Sequence, residues 1–93
     1  MKNIFLPISM LLLIGCGLST SEMENAKRLS IAIAESECEC KKIKASGQSI
    51  AECTEIFERN VRYLTNFYDV VKPSDSEKRK ASAAADEIRS KCN

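Results

Sequence analysis

Three serine–glutamate pairs constrain the fold of this chain more than any other feature of its sequence. Each pair has the spacing Ser-x-x-Glu, in which the serine oxygen and the glutamate carboxylate accept hydrogen bonds from free amides at a helix start. Each pair also stands just ahead of a segment with helical periodicity. The sequence therefore predicts three helices, each begun by a capping box. The pairs are Ser21 with Glu24, Ser49 with Glu52, and Ser74 with Glu77.

Two residues indicate where the predicted helices end. Gly47 can adopt the left-handed backbone conformation that closes a helix, and Pro73 cannot continue one because it lacks an amide hydrogen. With these limits the helices are predicted to span about 22–45, 49–71 and 75–91. Because the connecting loops are short, neighbouring helices should run antiparallel. The predicted fold is all-α, a small up-down-up three-helix bundle.

Apolar and small residues recur along each predicted helix at alternating steps of three and four residues. This spacing is typical of helices that pack on one another. No segment alternates strictly between apolar and polar residues, so no sheet is predicted. The stripes comprise Ala26, Leu29, Ile33, Ser36, Cys40 and Ile43 in the first helix, Ile50, Cys53, Phe57, Asn60, Leu64, Phe67 and Val71 in the second, and Ala81, Ala85, Ile88 and Cys92 in the third.

The first 16 residues have the layout of a bacterial export signal. Lys2 supplies a positive charge, and a mostly apolar run from Ile4 to Gly15 would extend about 18 Å as a helix. A permanent membrane span needs about 20 residues, so the run is interpreted as part of a signal peptide. It ends in Leu13-Ile14-Gly15-Cys16, which resembles the lipobox of bacterial lipoproteins.

The resemblance implies cleavage before Cys16, transfer of diacylglycerol to its sulfur, and acylation of the new amine by a fatty acid such as palmitate. Residues 1–15 would then be a cleaved lipoprotein signal peptide, 16–21 a lipidated tether and 22–93 a single helical domain. The protein would be lipid-anchored in the bacterial cell envelope. In a Gram-negative host, Gly17 rather than Asp after the cysteine favours the periplasmic face of the outer membrane. The alternatives are an ordinary cleaved signal peptide and a retained membrane helix.

Four further cysteines, Cys38, Cys40, Cys53 and Cys92, would be exported to an oxidising compartment, where an even number of thiols favours disulfides. Cys40 and Cys53 face each other across the turn at Gly47, and all four fall at one end of the bundle. We predict the pairs Cys40–Cys53 and Cys38–Cys92. Cys38 lies about 200° from Cys40 around a helix, so local fraying near Cys38 is expected. Cys38–Cys53 with Cys40–Cys92 remains the alternative.

The chain has no histidine, and its 14 basic and 13 acidic residues give a net charge of +1. The commonest general base and metal ligand are therefore missing, and no basic face suits nucleic acid. We predict a non-enzymatic protein without a cofactor, a metal site, a small-molecule substrate or a nucleic-acid partner. The alternative is a metal- or redox-handling envelope protein using Cys38, Cys40, Cys53 and Cys92, as a four-thiolate zinc site or through a Cys38-Glu39-Cys40 dithiol.

The second predicted helix carries more apolar and aromatic side chains than one packing seam needs. These side chains are Ile56, Val61, Tyr63, Phe67, Tyr68 and Val70. A middle position between two neighbours would explain many of them. The remainder, Tyr63, Phe67 and Tyr68, predicts a possible partner surface at the end opposite the disulfides.

The predicted function is a membrane-anchored adaptor lipoprotein, with another envelope protein as its partner and Cys16 as its attachment to the membrane. In size and architecture the chain resembles the helical, disulfide-bonded pilotins of secretion systems. It is also similar to the very small cysteine-containing exclusion lipoproteins of conjugation systems. It shares no motif with either family beyond the lipobox.

Overall fold

The computed structural model describes residues 17–92, which form three helices and no strand within that range. Helix α1 spans Thr20–Ala45, α2 spans Ala51–Val71 and α3 spans Asp75–Lys91. The predicted all-α fold of three helices joined by disulfides is confirmed. The signal peptide predicted at residues 1–15 and the lipidation predicted at Cys16 lie outside the described residues.

One of the three predicted capping boxes forms as expected, at the start of α3. The Ser74 hydroxyl oxygen accepts a hydrogen bond from the Glu77 amide at 3.2 Å, and Glu77 Oε1 accepts one from the Ser74 amide at 2.8 Å. The first box forms two residues earlier than predicted. It pairs Ser19 with Glu22, because the segment before α1 contains a second serine–glutamate pair at the same spacing.

The predicted boxes at Ser21–Glu24 and Ser49–Glu52 are therefore wrong. The N-cap of α2 is Ile50, which makes no side-chain cap bond. The Ser49 hydroxyl instead accepts a hydrogen bond from the Ala51 amide at 3.3 Å. This bond spans two residues of the chain, whereas a capping box spans three.

The helix ends depend on two residues in the left-handed region. Gly47 has a φ of 83°, as its predicted role requires, and follows the end of α1. At the end of α2 the left-handed residue is Lys72, with a φ of 48°, and its amide donates to the Tyr68 carbonyl at 2.8 Å. Pro73, which the sequence indicated as the stop, follows directly.

Helix α1 is the central element of the fold. It packs against both α2 and α3, whereas no Cα atom of α2 lies within 8 Å of one in α3. The expectation that the second helix lies in the middle is wrong. The cause is the placement of Cys38 and Cys40 on different sides of α1, where each is bonded to a different helix. Because α3 approaches the Cys38 side directly, α1 remains helical through both cysteines, and the expected fraying does not occur.

The core between the helices is built from small side chains. Ala81 and Ala85 of α3 are completely buried, and the backbone of α3 approaches closely only that of α1. Ala26 and Ala34 of α1 are also completely buried. No large side chain among the described residues is fully buried. Such a thin core provides little hydrophobic stabilisation, so cross-links between the helices matter for stability.

Candidate functional site

The three aromatic residues of the predicted partner surface lie on two sides of α2. Tyr63 is 53% exposed, while Phe67 and Tyr68 are half-buried. Tyr68 faces α3, with the Lys78 ammonium 5.8 Å from its ring centre. Burial raises the pKa of Tyr68 above its usual value, and a hydrogen bond with the Ser30 side chain opposes that rise. Tyr68 therefore contributes to packing between the helices.

Tyr63 and Phe67 belong to a different surface, which we call the outer groove. Tyr63 precedes Tyr68 by five residues and so points about 140° away from it around the helix, on the side of α2 turned away from α3. The groove runs between α1 and α2. Its lining residues are Asn25, Arg28, Leu29, Tyr63, Asn66, Phe67 and Val70 at one end, and Ala32, Glu35, Ser36, Glu39, Cys53, Ile56 and Asn60 at the other.

An exposed apolar stripe follows the α2 edge of the outer groove. Among the described residues, the exposed large hydrophobic side chains are Ile50, Ile56, Tyr63 and Val70. The last three are spaced seven residues apart, so they align along α2 over about 21 Å. Seven-residue apolar spacing is typical of a seam that packs against another helix. Tyr63 was predicted to belong to a partner surface, whereas Ile56 and Val70 were predicted as surplus apolar side chains but not as part of that surface.

Charged residues flank the outer groove. Glu35 and Glu39 are exposed and line the groove on the α1 edge. Arg59 is exposed on α2 three residues after Ile56, so helix geometry places it on the same side of α2 as the apolar stripe. The ion pairs in the described part of the chain join Arg89 with Glu37 and Asp86, and Lys91 with Glu87. Glu35, Glu39 and Arg59 take part in none of them.

A carboxylate fixes the chain that leads into α1. Glu77 Oε2 accepts a hydrogen bond from the Leu18 amide at 2.6 Å, while Oε1 accepts from the Ser74 amide. The bonds from the Ser74 and Leu18 amides lower the pKa of Glu77. A Cβ atom at position 17 would require the end of this flexible side chain to shift, so Gly17 leaves room for the carboxylate. The start of the described chain is thus held against the start of α3, at the Val70 end of the outer groove.

The four cysteines form the predicted pairs. Cys38 bonds Cys92 with a Cα–Cα distance of 5.6 Å, and Cys40 bonds Cys53 with a distance of 5.5 Å. A four-thiolate metal site would require both disulfides to be reduced. No group of three or more histidine, cysteine or acidic side chains within residues 17–92 is arranged to hold a metal ion.

The chain matches no protein-family model, no curated protein and no solved structure. None of the helices within residues 17–92 combines the length and apolar character needed to cross a bilayer.

Proposed function

We propose that this protein is a small lipoprotein of the bacterial cell envelope that acts as a non-enzymatic binding protein for another envelope protein. The observation that carries the proposal is the lipobox-like Leu13-Ile14-Gly15-Cys16 ahead of a helical domain with two disulfides. An export signal and disulfides favour the same location, because disulfides persist in oxidising compartments outside the cytoplasm. The role would be that of an adaptor, similar to pilotins or exclusion lipoproteins.

The attachment to the membrane would be firm and close to the folded domain. A single acyl chain binds a membrane only reversibly, whereas the two chains of a diacylglyceryl group and a third on the amine would anchor it stably. Cys16 lies two residues before Leu18, which is at most about 7 Å of extended chain. Since Glu77 holds the Leu18 amide, the Val70 end of the outer groove would face the bilayer.

The outer groove supports a binding role. It offers an exposed apolar stripe along an open face, which suits a partner helix better than an enclosed small molecule. The pKa of Tyr68 is raised and that of Glu77 is lowered. The first shift follows from burial in helix packing and the second from hydrogen bonds at a helix start, so neither favours acid–base catalysis.

The anchor is tested by feeding cells a palmitate analogue that can be coupled to a dye after lysis. The wild-type protein should carry the label, and Cys16→Ala should lose it. Cys53→Ala is the matched control: it also replaces a cysteine by alanine, and it should keep the label. A labelled Cys16→Ala variant, or an unlabelled wild-type protein, would contradict the lipoprotein assignment.

The binding role is tested in intact cells with a photoreactive amino acid at position 63. Irradiation should give a discrete cross-linked product that contains an envelope protein. The same amino acid at Arg79, which is exposed on α3 outside the groove, serves as the control and should give none. Absence of a product at position 63, or equal products at both positions, would argue against the outer groove as the contact surface.

A further inference from the structure

We propose that the outer groove is a self-association interface, in which two anchored copies pack in parallel with α1 of each against α2 of the other. This rests on the proposed function, because lipid anchors in one membrane leaflet determine the direction of packing. The partner that binds in the outer groove is then a second copy of this chain.

The register between α1 and α2 determines what such packing brings together. Within one copy the two helices are antiparallel, and the Asn60 amide group donates to the Ser36 hydroxyl at 3.5 Å. Arg59, one residue before Asn60, therefore lies level with the stretch of α1 between Glu35 and Glu39. Tyr63, three residues after Asn60, lies level with the α1 turn that contains Ala32.

A two-fold axis parallel to the helices places α2 of one copy opposite α1 of the other, at the same level. Arg59 then faces Glu35 and Glu39 of the second copy, and symmetry makes this contact twice. The Tyr63 ring faces Ala32 of the second copy, whose small side chain leaves room for it. The groove edges of a single chain thus complement each other in charge, and the apolar stripe is covered between them.

One observation and one consequence of the proposed anchor favour a second copy over an unrelated helix. The charges on the groove edges have no ion-pair partner within the described part of their own chain, yet they have opposite signs at matching levels. Anchoring also confines copies to a plane and raises their effective concentration. Antiparallel packing would separate the two anchors by about 39 Å, the length of α1, which the short segment before Leu18 cannot span.

The test is a reciprocal charge exchange in the full lipidated protein, purified in detergent. The wild-type protein should form dimers by sedimentation velocity. In a dimer of R59E, the new acidic side chain at position 59 should face Glu35 and Glu39 of the other copy. In a dimer of E35R/E39R, the new basic side chains at positions 35 and 39 should face Arg59. Each should weaken self-association by about tenfold or more. Mixed together, the two variants should form a heterodimer with an affinity within about threefold of the wild-type dimer, because every facing pair is again of opposite sign.

Controls separate charge exchange from misfolding. Arg79→Glu makes the same charge change on an exposed position of α3 and should leave the dimer unchanged. Intact disulfides and an unchanged helical circular dichroism spectrum show that each variant is folded.

A wild-type protein that stays monomeric would overturn the proposal, as would an R59E variant that dimerises normally or variants that fail to combine. Loss of the dimer in Arg28→Glu but not in R59E would indicate antiparallel packing and also overturn it. Fatty-acid labelling is measured on the same samples, so a failed dimer with an intact label leaves the lipoprotein assignment standing. A cross-link from position 63 to a different protein, with a monomeric wild type, would reject only the second copy.

Discussion

Removal of the Cys38–Cys92 disulfide should destabilise the domain more than removal of Cys40–Cys53. The two bonds join residues 54 and 13 positions apart. In the loop-closure treatment of the unfolded chain, these separations correspond to about 4 and about 3 kcal/mol. A domain of this size obtains only about 3–5 kcal/mol from its core. Loss of the longer bond should therefore remove a stabilising contribution about as large as that of the core itself.

The comparison uses two matched double variants, one with alanine at positions 38 and 92 and the other with alanine at 40 and 53. Each variant loses two sulfurs, and each loses one buried cysteine, since Cys38 is 7% exposed and Cys53 is 6% exposed. The cost of the lost packing should therefore nearly cancel. Urea unfolding of the detergent-solubilised protein, followed by circular dichroism, should show a difference of about 1 kcal/mol.

Hydrogen exchange should locate the effect. Helix α3 packs mainly on α1, and it does so through small side chains such as Ala81 and Ala85. Without the Cys38–Cys92 bond, the α3 amides should exchange first, while the pair α1–α2 remains protected. An equal or larger loss of stability in the 40/53 variant would refute the loop-length argument. Uniform acceleration of exchange across all three helices would refute the independence of α3.

Three further predictions follow from local structure. Ala81→Leu should lower the free energy of unfolding by about 1–3 kcal/mol because Ala81 is fully buried. Ala84→Leu, on the exposed side of the same helix, should change it by at most about 0.5 kcal/mol. Equal effects in urea unfolding would contradict the close packing of α3 on α1. Lys72→Gly should stabilise the folded domain by about 1 kcal/mol, because glycine adopts the left-handed conformation of this residue without strain. Lys80→Gly, inside α3, should destabilise the domain by about 1 kcal/mol. Destabilisation by both substitutions would contradict the left-handed conformation of Lys72. The pKa of Glu77 is lowered in the folded state, so its contribution to stability is present above the ordinary glutamate pKa and is lost as the pH falls through the folded value. Glu77→Gln should therefore flatten the acidic limb of the stability–pH curve. An unchanged limb would contradict the hydrogen bonds that Glu77 accepts from the Ser74 and Leu18 amides.

Much of the fold could be predicted from the sequence because its signals are local. Helical periodicity and the stops at Gly47 and Pro73 depend on neighbouring residues alone. The spacing Ser-x-x-Glu does not by itself identify the capping box of α1, because it occurs twice before that helix. The residue that caps α1 is Ser19, directly after Leu18, whose amide donates a hydrogen bond to the distant Glu77. A local sequence pattern cannot show such a contact.

The arrangement of the helices was harder to predict than their boundaries. The 200° angle between Cys38 and Cys40 suggested fraying because the second helix was expected in the middle. With α1 in the middle, the same angle directs each cysteine toward its own partner helix. The candidate site was predicted only in part. Tyr63 was identified because the second helix carries more aromatic side chains than one packing seam needs. Its continuation through Ile56 and Val70, and the inward position of Tyr68, depend on which side of α2 faces α3.

We propose that lipid on Cys16 anchors the disulfide-linked helical domain to the envelope. Intact mass spectrometry of the protein extracted from membranes would detect both the lipid and the disulfides. The predicted mass is that of residues 16–93 plus a diacylglyceryl and an acyl group, and it should rise by four hydrogen masses on reduction, two for each disulfide. An unlipidated mass that does not change on reduction would contradict both the anchor and the cross-links.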